Sequence, residues 1–409
     1  MQTFQVGIIG FGSMGAHLGH ALDRATGGLV TVAGVVDPDD QKYRRSCEFL
    51  GNEPQRCATI AELRKMPLDG IIVASPNHCH LENIQELQGL STPLLLEKPL
   101  DANFDKICDV LRFSEAYSGP IIVDHVMRYA PIISQTKKLL DSGAIGQICS
   151  VSFVQNCFYG NSMYHCFRRT MAGSGGMFIE KATHDLDIMH YIVGSRARRV
   201  AAVARRQAFG GNKPNDLHCR QCDERFTCPE SSNNTQYRYG DTDKMFEQAW
   251  ANDMCVYAEE VDVPDNEVCM IEFDNGTFGT YTQCFFSPAS YTTREYEIIG
   301  LEGILRLSLT IQGDHNKGRI LHCPRFGTPE DSTVYEFDYR KRMHYNGGGA
   351  VARHFCQLMS GEAEPFTTVR QAFAAEVLGQ AATLAAQRGE FVVPQELLPD
   401  DLQGLWEEL

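Results

Sequence analysis

No uncharged apolar run in the 409-residue sequence approaches the roughly 20 residues that a membrane-spanning helix needs. No basic stretch precedes the first apolar run, which begins at Phe4, so no export signal is expected and the chain reads as soluble and cytoplasmic. Positive charge is in deficit. The 37 Lys and Arg against 52 Asp and Glu leave a formal charge of −15, a field that repels nucleic-acid backbones and anionic lipid, so neither nucleic acid nor membrane is an expected partner. Internal repeats and low-complexity tracts are missing too. With 43% hydrophobic and 22% charged residues, disorder, collagen and long coiled coil are poor readings. Cysteine, by contrast, is plentiful: 15 copies, an odd number with no export signal, are expected to be mostly reduced thiols. The length argues for two or three domains, each able to bury a core.

From Phe4 to about Val123, short β-branched runs alternate with helical stretches: Val6-Gly7-Ile8-Ile9, Val30-Thr31-Val32-Ala33, Ile71-Ile72-Val73-Ala74, Leu94-Leu95-Leu96 and Ile121-Ile122-Val123. That βαβ alternation predicts a parallel sheet covered on both faces over residues 1–125. After Asp124 the pattern changes to a helix near Ile132–Ser142, a strand at Ile148–Val154 and a helix from about Met177 to Val193. Closely spaced strand candidates between Val268 and Leu309, with turns at Asp274-Asn275-Gly276 and Glu302-Gly303, read as an antiparallel meander. Residues 126–409 are thus expected to form an α+β domain closed by helices within 350–388. The polar run 209–258, with four cysteines, is too long for a plain connection and reads as an insertion.

Gly10-Phe11-Gly12-Ser13-Met14-Gly15 follows the first strand and opens a helix. Glycines at that spacing allow a tight turn, close approach of a pyrophosphate and helix–strand contact, and the helix N-terminus faces the anion. Asp37 ends the second strand, 22 residues beyond Gly15, where an acid hydrogen-bonds the ribose hydroxyls. Its charge repels a 2′-phosphate and favours NAD over NADP, against the nearby Lys42, Arg44 and Arg45. The plainer reading of Asp37 is a residue starting the turn before Pro38.

Together with this fingerprint, Ser75-Pro76-Asn77 after the fourth strand and Glu97-Lys98-Pro99 after the fifth resemble the Gfo/Idh/MocA family, the glucose–fructose oxidoreductase and inositol dehydrogenase group. The resemblance continues through Arg128-Tyr129-Ala130-Pro131, Gly143-Ala144-Ile145-Gly146 and Gly175-Gly176-Met177-Phe178-Ile179-Glu180-Lys181-Ala182-Thr183-His184 and covers nearly the whole chain. It implies a Rossmann domain followed by a domain with a large open-faced, mostly antiparallel sheet, with substrate held between the nicotinamide and that sheet. It also implies cofactor contacts from Ser75, Pro76, Asn77, His80, Glu97 and Lys98, substrate contact from Arg128, and a homo-oligomer formed through the open sheet face.

Lys98 follows a strand's C-terminal end, where ligands collect in open α/β sheets, and its ammonium suits a forming oxyanion. Taken alone, Glu97-Lys98-Pro99 reads rather as a surface lysine paired with Glu97; the ordered series of motifs around it favours the catalytic reading. On one continuous helix at 100° per residue, His184 lies about 40° and Asp187 about 20° from Glu180 in opposite senses, giving an acid–histidine–acid stripe opposite an apolar one. A solvated face has the same pattern. The family's catalytic acid and histidine fall at Glu180 and His184, and a pKa near 6.5 suits His184 as general base. Inositol-dehydrogenase-like members usually carry Asp where this chain has Glu180 and a small or apolar residue where it has Lys181, a second candidate cation. Tyr164, His165, Arg168 and Arg169 resemble a substrate-facing segment in a subset of the family. The two arginines suit a carboxylate, sulfonate or sugar, and ordinary salt bridges explain them as well.

Cys219-x2-Cys222-x5-Cys228 and Cys255 supply four soft ligands within the polar insertion, the number and chemistry of a structural tetrahedral zinc site. His218 is an alternate fourth ligand; an iron–sulfur cluster or free thiols use the same residues. The reading that follows is an NAD-dependent oxidoreductase acting on a secondary hydroxyl of a sugar, sugar acid or cyclitol. Its alternative is an NAD-dependent glycoside hydrolase that oxidises, eliminates, adds water and re-reduces without net redox change. A non-catalytic dinucleotide sensor is the third class, disfavoured by Lys98 and His184.

Overall fold

The computed structural model of the chain describes residues 3–157, 160–234, 253–288, 293–312, 315–340 and 347–408. Residues 235–252 of the expected insertion lie outside the described residues. The chain divides into two compact units. One runs to Tyr129 and takes in the segment from Gly347 to Phe373; the other begins at Ala130 and includes the chain from Ala374 onward.

In the first unit, β1 (Phe4–Ile9), β2 (Val30–Val36), β3 (Gln55–Cys57), β4 (Gly70–Val73), β5 (Leu94–Leu96) and β6 (Ile121–Val123) form one sheet in the order β3-β2-β1-β4-β5-β6. Every pairing is parallel. The order reverses at β1 and β4, the dinucleotide-binding topology with a crevice at the strands' C-terminal ends. Runs such as Ile71-Ile72-Val73 and Leu94-Leu95-Leu96 are buried throughout because helices cover both faces. Short β3, a polar Gln-Arg-Cys run, has no apolar signature in the sequence. This compact unit runs on to Tyr129, and helix Gly347–Ser360, expected with the second domain, packs on helix Ser13–Thr26 within it.

The second unit is built on β7 (Ile148–Asn156), β8 (Ala197–Arg205), β9 (Asn266–Phe273), β10 (Phe278–Cys284), β11 (Thr293–Gly300), β12 (Gly303–Gln312), β13 (His315–Pro324) and β14 (Thr333–Arg340), ordered β14-β13-β12-β11-β7-β10-β9-β8. All pairings are antiparallel except β7 with β10. The expected meander is therefore interrupted: β7, from earlier in the chain, sits between β10 and β11. One face carries the helix Thr183–Val193, docked against β7 and β10. On the other, Val203 pairs with Val268 and Ala201 with Met270 across β8 and β9, and Val203, Val268, Met270 and Phe278 are exposed. Among the described residues, no helix is long and apolar enough to cross a membrane.

Candidate functional site

The glycine loop of the first unit is shaped by what its glycines leave open. Gly10 adopts φ +85°, and a Cβ there would lie 2.4 Å from the Ser75 nitrogen, so only glycine lets the β1 loop meet the β4 loop. A Cβ on Gly12 would meet nothing within 4 Å, the open cradle that an approaching pyrophosphate needs. Helix Ser13–Thr26 starts there with no side-chain cap and no acid in its first turn, leaving its amides directed at that space. Asp37, 8% exposed, accepts hydrogen bonds from the Phe11 amide at 2.8 Å and the Asp39 amide at 2.9 Å. Its carboxylate thus both makes the turn before Asp39 and is fixed onto the glycine loop. Of the nearby cations, Lys42 leans toward Asp39 at 3.9 Å, and Arg56 donates to the Asp37 carbonyl at 2.9 Å. The residues present fit NAD.

His80, expected at the cofactor, is fully buried; its Nδ1 lies 2.8 Å from the Pro99 carbonyl and its Nε2 2.9 Å from that of Ser75. It ties the loops after β4 and β5 together and has no surface to offer a ligand. Asn83 donates to the Ser75 hydroxyl at 2.7 Å. Asn77 is buried, while Ser13, Met14 and Ser75 are partly and Pro76 largely open. We expect Asp37→Ala to raise the KM for NAD roughly ten- to hundredfold, the loss of charge-assisted hydrogen bonds, and to narrow the gap to NADP. Equal use of both cofactors by the parent enzyme would show that Asp37 does not set the preference.

Lys98 is half-buried at the end of β5, above two buried carboxyls. Burial and the neighbouring Asp124 push Glu97 well above the usual carboxylate range, against the charge of Lys98. Burial likewise raises Asp124 to about 6, opposed by its hydrogen bond with Glu97 and by Lys98. The pair shares a proton near neutrality, which keeps one negative charge beside the ammonium. Arg128, expected at the substrate, is buried in the 3-10 turn Val126–Tyr129.

In the second unit the expected single helix is two. Met177–Glu180 ends where the Met177 carbonyl accepts from both Lys181 and Ala182, a widened turn, and Thr183–Val193 starts anew. The angular relation expected between Glu180 and His184 does not hold across this break. No polar stripe faces water either: Glu180, Lys181, His184, Asp185 and Asp187 are all buried. Glu180 instead forms an ion pair with Arg168, Nε to Oε1 2.7 Å, and the Arg168 guanidinium rests over the Phe167 ring. Burial brings the Lys181 ammonium down to about 8, with Arg294 adding repulsion and Cys157, Asp185 and Glu180 opposing.

Sequence reasoning missed what lies beneath His184. Asp185 accepts from the hydroxyls of Tyr281 on β10, at 3.2 Å, and of Tyr296 on β11, and its Oδ1 is 3.1 Å from Arg294 Nε. This buried network fastens the helix carrying His184 to the sheet, and removing one partner costs about 3–5 kcal/mol. The adjacent acid in His184-Asp185 was its only sequence signal.

Two expected substrate ligands are scaffold. Tyr164 is fully buried, packs its ring against that of Phe209, and donates a hydrogen bond from its hydroxyl to the Pro264 carbonyl at 2.6 Å. Arg169 is fully buried too, donating to the carbonyls of Cys255 at 3.0 Å and Asn215 at 2.7 Å and to Glu260. Both belong to the clamp between the Tyr164–Arg169 segment and the insertion. His165 continues it, its ring nitrogens 2.7 Å from the Met254 carbonyl and 2.8 Å from that of Glu230. Arg168 is the member of the segment left at the acid.

Lys181→Met should stabilise the protein below pH 8, by up to about 3 kcal/mol, because Arg168 and Arg294 keep Glu180 and Asp185 paired. The unfolded chain holds the lysine proton to pH 10.5 and the folded one only to about 8, so parent stability rises between those values and the gain disappears. Denaturation midpoints at pH 7 and above 10 test this; a gap constant in pH would refute it.

The four insertion cysteines line one cavity with His165. Burial opposes ionisation of Cys219, but His165 and the Ser232 amide bring it down to about 7. His218, the alternate ligand, is engaged by Asp253 at 2.7 Å. Among the described residues, no three His, Cys, Asp or Glu side chains stand in a metal-holding arrangement.

The sequence profile of an oxidoreductase family's NAD-binding Rossmann fold matches residues 4–125, and that of its C-terminal alpha/beta domain matches residues 137–394. YteT of Bacillus subtilis is 24% identical over 336 residues, 74% of either chain. Inositol 2-dehydrogenase 1 of Saccharopolyspora erythraea is 30% identical over 204 residues, 48% of this chain and 57% of that one. The 2,7-anhydro-N-acetylneuraminate hydratase of Escherichia coli is 22% identical over 206 residues, 50% of this chain and 54% of the relative. The chain thus spans little more than half the length of the last two. Levoglucosan dehydrogenase in complex with NADH superposes with a TM-score of 0.75 at 16% identity, covering 96% of this chain and 99% of that one. An Agrobacterium radiobacter oxidoreductase in complex with NAD+, L-tartaric acid and magnesium gives 0.71 at 16%, covering 97% and 100%. Structural likeness at such identity shows a shared fold. The two profile matches, in series along most of the sequence, go further: this chain belongs to the Gfo/Idh/MocA family of NAD-binding oxidoreductases.

Proposed function

We propose that the protein is an NAD-dependent dehydrogenase acting on a secondary hydroxyl of a sugar, sugar acid or cyclitol. The observation that carries this is a buried acid–base set in the second unit: Glu180 paired with Arg168, Lys181 next to it in the chain, and His184 on the helix that the Asp185 network fastens to the sheet. Relatives named for inositol and levoglucosan support the substrate class. Bound NAD supplies the hydride acceptor. His184 takes the hydroxyl proton, Lys98 stabilises the developing oxyanion, and Glu180 with Arg168 orients the polyol. Incubation with NAD and a panel of pyranoses, uronates and cyclitols should produce NADH absorbance; silence across the panel would reject this reading.

One observation favours a second reading, redox-neutral glycoside cleavage. A buried lysine that releases its proton near pH 8 is a spare acid–base group, useful where a C–H proton and a leaving group must both be handled. The hydratase relative supports a reaction in this fold other than net oxidation. Aglycone release without NADH, lost on stripping NAD, would select it. The exposed apolar rows of β8, β9 and β10 support association with a second copy through the open sheet face, which sedimentation would test.

A further inference from the structure

We propose that Cys219, Cys222, Cys228 and Cys255 form a structural zinc site that holds the insertion against the Tyr164–Arg169 segment. All four line a single cavity of about 20 Å³, room for one ion and too little for an organic ligand. The amide of Ser232 is aimed at the Cys219 sulfur, those of Glu230 and Ser231 at Cys228, and that of Tyr257 at Cys255. A neutral thiol is a weak acceptor; several amides trained on sulfurs suit thiolates, whose mutual repulsion needs a cation at their centre. Zn–S bonds of about 2.3 Å place tetrahedral sulfurs about 3.8 Å apart, close to their van der Waals contact. The ion thus has only to draw in sulfurs that already share one wall, which are not at coordinating positions without it.

His165 is not a competing ligand, because both its ring nitrogens face backbone carbonyls. His218 is engaged by Asp253. Four thiolates fill a tetrahedral shell and leave no position for water or substrate, so the site is structural. Something must hold this segment: between Cys219 and Asn234 it has only two single-turn 3-10 helices, and Phe226 is 70% exposed. Its fixed position matters because Arg169 hangs on the Cys255 and Asn215 carbonyls and His165 on those of Met254 and Glu230. Their neighbour Arg168 holds Glu180.

Metal analysis of the full-length protein, made with zinc in the medium and purified without chelator, tests this directly. The expected result is about one zinc per chain, released by an organomercurial. Cys222→Ser and Cys228→Ser should lose it, and Cys149→Ser, on β7 away from the cluster, should keep it. Stripped protein should be cut by protease between residues 210 and 234 while its NAD affinity stays at the parent value. Zinc below about a tenth of an equivalent, iron with acid-labile sulfide, a disulfide among the four, or zinc retained by Cys222→Ser would each overturn the proposal. None of these outcomes depends on which substrate is turned over.

Discussion

His184→Ala should lower kcat about 10² to 10⁴-fold at neutral pH and leave the Kd for NAD near the parent value. The histidine is buried at the start of helix Thr183–Val193, and Asp185 beside it is anchored by Tyr281, Tyr296 and Arg294. Substitution therefore removes a proton acceptor without unseating the helix, and the dinucleotide residues Gly10, Gly12 and Asp37 belong to another compact unit. Turnover should recover as pH rises, because hydroxide can take the proton that the imidazole no longer accepts. Lys181 loses its proton near pH 8 and would contribute to such a recovery. A His184→Ala/Lys181→Met double variant separates the two: recovery that persists belongs to hydroxide, and recovery that disappears to the lysine. Full turnover of the single variant at neutral pH would place the base elsewhere, with Lys181 the next candidate. Tyr164 does not serve as that base, since its hydroxyl is committed to the Pro264 carbonyl and burial pushes its pKa far up.

Lys98→Met should lower kcat by a similar 10² to 10³-fold with no recovery at high pH, because the missing element is a cation beside an oxygen. The proton shared by Glu97 and Asp124 sharpens this expectation. With the ammonium gone, the opposition it offers to protonation of both carboxyls goes too, so the pair should hold its shared proton to higher pH. Titration of the pair by carbon-labelled carboxyl resonances gives a readout independent of turnover. A variant with parent kcat, or with a loss that recovers at high pH as in His184→Ala, would remove Lys98 from the chemistry.

The parts legible in the sequence are those whose physics is local. β1, β2, β4, β5 and β6 are visible because a strand buried on both faces is a short, continuous apolar run, and the glycine loop because each glycine answers a constraint within a few residues. β3 and β8 escaped: β3 is three polar residues, and β8 reads Ala-Arg-Arg-Val-Ala-Ala-Val-Ala-Arg, with no clear alternation. Asp37 showed its place from spacing alone, although its contact with the Phe11 amide needed the fold.

The sequence by itself determined the parallel dinucleotide-binding sheet and the family, and offered a set of candidate polar residues. Tertiary structure decided what each of those residues does. Arg168 and Arg169 are adjacent and chemically identical, yet one pairs with Glu180 and the other is consumed by Glu260, Asn215 and Cys255, partners 46 to 91 residues away. The helix expected from Met177 to Val193 breaks at Lys181, and its polar residues are buried rather than forming a solvated face, with Asp185 finding Tyr281 and Tyr296 about a hundred residues on. Periodicity reports which side of an element is polar. Whether that side meets water or a buried partner depends on long-range packing, because an unpaired polar group inside a protein costs several kcal/mol and its partner is supplied by whatever the fold brings there.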